Sequence, residues 1–62
     1  MYVVRDRDGS LWIHTEKPYK KIFCWMSRGE CESIYSNFFP EVKWEDNEPR
    51  ELVLKPIKEE QP

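Results

Sequence analysis

The alternation of apolar and polar positions is clearest at the start of the chain. "YVVR" and "LWIH" flank Asp8-Gly9. Their period of two is that of a half-buried strand. Asp-Gly between such runs favours a tight hairpin, because glycine takes positive φ without steric cost. A two-residue loop pairs Val4 with Ile13, and a four-residue loop pairs Val4 with Leu11. Both place Tyr2, Val4, Leu11 and Ile13 on one face, expected to be core. Val3, Arg5, Trp12 and His14 then share the outer face, with Arg5 stacked on Trp12.

Further along, Pro18 marks a turn by fixing its own φ and pushing Lys17 out of helical geometry. "IFCWMS" is apolar on both faces, as a central strand is, and Gly29 turns the chain after it. "CESIYSNFF" fits either a strand or a single helical turn. The strand is favoured, running into a turn near Ser36-Asn37, with Pro40 stopping any helix. "EVKWED" and "RELVLKPI" read as two more strands joined by "EDNEP" as a hairpin tip. Phe38, Phe39, Val42 and Trp44 are expected in the core, and Pro56 suits an edge strand. The pattern predicts an all-β chain: a single antiparallel meander of about five strands, forming a curled sheet or half-open barrel. Residues 1–57 make one domain and residues 58–62 a polar tail.

Composition supports a folded domain. The chain has 62 residues, 39% of them apolar, with three each of Trp, Tyr and Phe. A domain this small supplies only about 3–5 kcal/mol of net stability, so its aromatics must contribute heavily. No secretory signal pattern and no membrane-spanning apolar run is present, so a cytoplasmic location with reduced thiols is expected. The net charge of −2 divides into +2 over residues 1–31 and −4 over residues 32–62. That balance argues against nucleic acid and suits a protein partner.

The candidate chemistry is sparse. Cys24 and Cys31 would sit opposite each other if Ser27-Arg28 were a hairpin tip, and two reduced, unbridged thiols are the favoured state. His14, Cys24 and Cys31 lack the spacing that prearranges a zinc site. A Cys–His nucleophile would need a pocket that a small sheet does not offer. No metal, cofactor or enzymatic activity is expected. Aromatics interleaved with Lys20, Lys21 and Arg28 suit the core first, a protein interface second and single-stranded nucleic acid third. Glu41, Glu45, Asp46, Glu48 and Glu51 form an acidic stretch, explained first by solvent and second by partner recognition.

"VVRDRDGSLWIHTEKP" and "FFPEVKWEDNEPREL" together resemble small uncharacterised proteins of gut anaerobic bacteria and their phages. The resemblance implies a phage or mobile-element accessory protein that binds and inhibits a host protein. It implies no activity and no functional residues. The sequence therefore points to a non-enzymatic protein-binding module, with a homodimer as one form. Arg5, Trp12 and His14 make its expected contact face, and Glu45, Asp46 and Glu48 a second, electrostatic patch. The alternative is a binder of a small ligand or single-stranded nucleic acid through sheet aromatics.

Overall fold

The computed structural model describes residues 1–53. Six strands carry the fold: β1 (Tyr2–Arg5), β2 (Leu11–His14), β3 (Tyr19–Lys20), β4 (Trp25–Met26), β5 (Cys31–Ile34) and β6 (Arg50–Glu51). The described residues are all-β, as expected. Its strands divide between a four-stranded antiparallel sheet of order β5-β2-β1-β6 and a two-stranded ribbon β3-β4. The four-stranded sheet does not close into a barrel.

The first hairpin forms where the sequence places it, but its register lies between the two expected. Val4 faces Trp12 and Val3 faces Ile13. The cause is a three-residue loop. Asp6 N–H donates to the Ser10 carbonyl at 2.8 Å, and Gly9 N–H to the Asp6 carbonyl at 3.0 Å. Gly9 at φ 95° supplies the left-handed residue that closes such a loop. A one-residue change of register moves every side chain of one strand to the other face. Val3, Arg5, Leu11 and Ile13 therefore share one face, and Tyr2, Val4, Trp12 and His14 the other.

On the first face Val3, Leu11 and Val42 are buried, packed against by Ile13, Ile34, Phe39 and Leu52. On the second, Val4 and His14 are buried, as is Trp25 of the ribbon. The ribbon is tied there by His14 Nδ1 and Ser27 Oγ at 2.9 Å, and by Trp25 N–H donating to Asp6 Oδ1 at 3.0 Å.

Three expectations fail together. "IFCWMS" is not a central strand: only Trp25–Met26 pair, and Ile22 and Phe23 are exposed. "EVKWED" is not a strand either. It belongs to a run of turns, closed by Phe38 N–H to the Tyr35 carbonyl, Val42 N–H to Phe39 and Asp46 N–H to Lys43. "EDNEP" is no hairpin tip, because β6 pairs with β1. Phe38 lies exposed rather than in the core, while Phe39 and Val42 do pack inward. The readings at Leu54, Pro56 and the 57/58 boundary lie outside the described residues.

What fixes the run of turns is Arg5, which the sequence placed on the outer face. Its guanidinium donates from Nε to the Val42 carbonyl at 2.6 Å and from Nη1 to Gly9 at 2.8 Å and Ser36 at 3.0 Å. Nη2 reaches the carbonyls of Phe38 at 3.3 Å and Phe39 at 3.2 Å. All five N–H groups of the guanidinium thus have a backbone acceptor. They hold Phe39 at φ 52°, a conformation costly for a bulky side chain.

Replacing Arg5 with Met should cost about 3 kcal/mol, most of the stability such a domain has, because charged hydrogen bonds are lost and carbonyls are left unpaired. Thermal denaturation measures the loss, and faster hydrogen exchange at the Val42 amide would localise it. Gly9→Ala meets no neighbouring atom. It should cost only about 1 kcal/mol through its positive φ, lowering Tm by roughly 4–8 °C.

Candidate functional site

The expected contact face is not assembled. Arg5 points into the opposite face from Trp12 and His14 and is consumed by the carbonyls described above. His14 is 2% exposed. Trp12 is half-buried, its indole N–H donating to Ser10 Oγ at 3.1 Å. No stack of Arg5 on Trp12 forms: the cations that lie over rings among the described residues are Arg7, Lys20 and Lys21. The common cause is the three-residue loop, which gave the strands the other parity.

The acidic residues are placed separately. Glu45 is exposed on the turn Lys43–Asp46. Asp46 is half-buried, its Oδ2 accepting the Lys43 N–H at 3.1 Å. Glu48 is exposed and 3.9 Å from Lys17 Nζ. Such a surface pair contributes little. The ribbon reaches this turn through Lys20. Its ammonium lies 4.3 Å from the Trp44 ring centroid and 5.4 Å from that of Trp25, and it donates to the carbonyls of Trp44 and Asp46. Trp25 Nε1 is buried without a hydrogen-bond partner among the described residues.

Cys24 and Cys31 are free thiols and do not face each other. Cys31 lies opposite His14 on β2, and Cys24 follows the ribbon tip. The Ser27–Glu30 turn carries β5 away from β4 because Thr15 captures it. Thr15 N–H donates to the Glu30 carbonyl and Glu30 N–H to Thr15 Oγ1, both at 3.0 Å. Among the described residues no group of three or more His, Cys, Asp or Glu side chains is placed to hold a metal ion.

His14, Ser27 and Asp6 are brought near one another by the fold. Burial lowers the His14 pKa below its ordinary 6.5, opposed by the Asp6 charge. Burial raises the Asp6 carboxyl above 3.8, opposed by the Trp25 N–H and helped by Asp8. The adjacent shallow depression is lined by Asp6, Arg7, Asp8, Phe23 and Cys24, with neither His14 nor Ser27 in its wall. The His14–Ser27 pair is a part-buried hydrogen bond that anchors the ribbon.

Two large apolar side chains that the sequence did not single out as a contact surface also face solvent. Lys21 N–H donates to the Cys24 carbonyl at 2.7 Å and closes the ribbon, leaving Ile22 and Phe23 at its apex. They are 74% and 64% exposed. Neither takes the positive φ that favoured two-residue hairpin turns require. The apex rests on the β1–β2 turn. Arg7 N–H donates to the Phe23 carbonyl at 3.1 Å, and the Arg7 guanidinium lies 5.2 Å from the Phe23 ring centroid. Lys21 sits over Tyr19 at 5.9 Å. Two sequence-distant turns thus present an apolar point with Arg7 and Lys21 beside it. The available signal was spacing: pairing Tyr19-Lys20 with Trp25-Met26 leaves Ile22-Phe23 at the tip.

No family model, curated protein or solved structure matches the chain. No helix among the described residues is long and apolar enough to cross a membrane.

The depressed His14 pKa gives a signed expectation. The unfolded chain takes up its imidazole proton near 6.5 before the folded chain does. His14 therefore contributes stability above that value which is lost as pH falls through it toward the folded pKa. Asp6 acts oppositely at lower pH: its raised pKa favours the fold below 3.8, and that gain is lost as pH rises through its folded value. Urea unfolding between about pH 7 and pH 5 should show stability falling, and His14→Gln should flatten that slope.

Proposed function

We propose that the chain is a non-enzymatic protein-binding module, and that it engages its partner with the ribbon apex. The observation that carries this reading is the exposure of Ile22 and Phe23 at a turn. Turns normally take Gly, Asn, Asp or Pro for conformational reasons. Two large apolar residues there contribute nothing to the core, and exposed apolar points of this kind mark contact sites. Arg7 and Lys21 flank them, so the complementary surface is an apolar pocket rimmed by carboxylates. Phe23 is the anchor, Ile22 its neighbour and Arg7 the group that orients the ring. In the setting the sequence resemblance implies, the partner is a host protein that the module blocks. The unbridged thiols suit a cytoplasmic location.

Glu45 and Asp46 on the Lys43–Asp46 turn, with Glu48 beyond it, are kept as a second electrostatic surface in this proposal. His14 supports the ribbon through Ser27, and Arg5 supports the turns.

Photo-cross-linking from an aromatic ketone side chain at position 23, in lysate, should yield an adduct with one discrete protein. Ile22→Ser should remove that adduct. With the partner purified, Phe23→Ser should weaken binding on the order of 100-fold, as an anchor residue does. Its stability should stay within about 0.5 kcal/mol of wild type, as for a surface residue. A loss of several kcal/mol would make Phe23 a core residue and end the proposal. An adduct with nucleic acid, and affinity falling steeply with salt, would replace it with the single-strand reading.

A further inference from the structure

The four-stranded sheet ends in two unlike edges. The β6 edge is short, follows Pro49 and consists of the charged Arg50 and Glu51. Proline and charge are the usual guards against edge pairing. The other edge, β5, reads Cys-Glu-Ser-Ile, with no proline, no lysine and one charge.

The hydrogen-bond phase of β5 follows from its neighbour. Thr15 N–H donates to the Glu30 carbonyl, in register with Ile13 facing Glu32 and Leu11 facing Ile34. Bonded pairs alternate along an antiparallel ladder. Glu30, Glu32 and Ile34 therefore turn their peptide groups toward β2. Cys31 and Ser33 turn theirs outward, where nothing among the described residues pairs with them. Beside them lies an apolar groove lined by Ser33, Ile34, Tyr35 and Phe38. Tyr35 and Phe38 pack edge to face, centroids 5.6 Å apart, while remaining 74% and 47% exposed.

We propose that β5 pairs antiparallel with β5 of a second copy, about a two-fold axis through Ser33. The sequence of the strand selects the register. With the axis at Ser33, Ser33 meets Ser33, Glu32 meets Ile34 and Cys31 meets Tyr35, so no like charges oppose. The outward peptide groups of Ser33 exchange two hydrogen bonds with their mates. Tyr35 of each copy covers Cys31 of the other, a sulfur–aromatic contact. An axis at Glu32 would set two carboxylates directly opposite, which destabilises a pair. An axis at Cys31 would bring Ser33 against Gly29, which is packed against Thr15 and Glu16, and would leave Tyr35 unpaired. This edge and the ribbon apex share no residue, so the dimer and the partner-binding proposal stand or fall separately.

The reduced chain should sediment as a dimer at about 100 µM, the regime of a small interface. Ser33→Pro removes an outward N–H and none directed at β2. It should weaken dimerisation at least tenfold, while amides of Glu32 and Ile34 keep their exchange protection. Phe23→Ser should leave the dimer intact. A second variant covers the case in which proline unfolds the strand. Ser33→Cys, with Cys24 and Cys31 changed to Ser, should form an intermolecular disulfide under mild oxidation. A wild-type chain that stays monomeric, a folded Ser33→Pro that still dimerises, or failure of the position-33 cross-link would overturn the proposal. Efficient linkage of wild-type copies through Cys31 in its place would do the same.

Discussion

The guanidinium of Arg5 is what the rest of the molecule depends on. Residues 35–49 contain no paired strand, so their peptide groups have no ladder to satisfy them. Buried carbonyls must find partners somewhere. Arg5 meets four carbonyls in this segment, part-buried at Phe39 and Val42 and exposed at Ser36 and Phe38, and a fifth at Gly9. One side chain from the central β1 thereby pins a string of turns across the sheet. The string in turn delivers Val42 and Phe39 into the core.

The second face is covered by a different device. The β3–β4 ribbon is too short to hold itself. It is moored at four points: Ser27 to His14, Trp25 N–H to Asp6, the Phe23 carbonyl to Arg7 N–H, and Lys20 between Trp25 and Trp44. The Lys20 contact matters most for the whole, because it joins the ribbon to the turns that Arg5 organises. The two faces are thus coupled through cations bound to carbonyls and aromatic rings. A chain with few fully buried side chains has little else to couple them with.

This economy explains where contact surface is left over. Polar anchors take up Arg5, His14, Asp6 and Lys20, and the exposed apolar side chains fall outside them. Ile22 and Phe23 project at the ribbon apex, and Tyr35 and Phe38 flank the unguarded edge. Arg7 belongs to the first of these groups through its stacking on Phe23. The two surfaces differ in kind: one is a point with cations beside it, the other a strand edge with an aromatic wall.

From the residues alone, the all-β class, the strands at 2–5 and 11–14, the Gly29 turn and the strand ahead of Ser36-Asn37 were legible, since each follows from local propensity. The parity of the first hairpin was not. Asp8-Gly9 announces a turn but does not count its residues, and one residue more or less exchanges every inward side chain for an outward one. That exchange moved Arg5 to the inner face and buried His14. The partner of β6 and the exposure of Ile22 and Phe23 were also decided tertiarily. Both depend on contacts between distant segments, Val3 with Arg50 and Arg7 with Phe23, and periodicity carries no information about which distant peptide group a donor will meet. Local chemistry set the elements of this protein, and long-range hydrogen bonding chose their faces and neighbours.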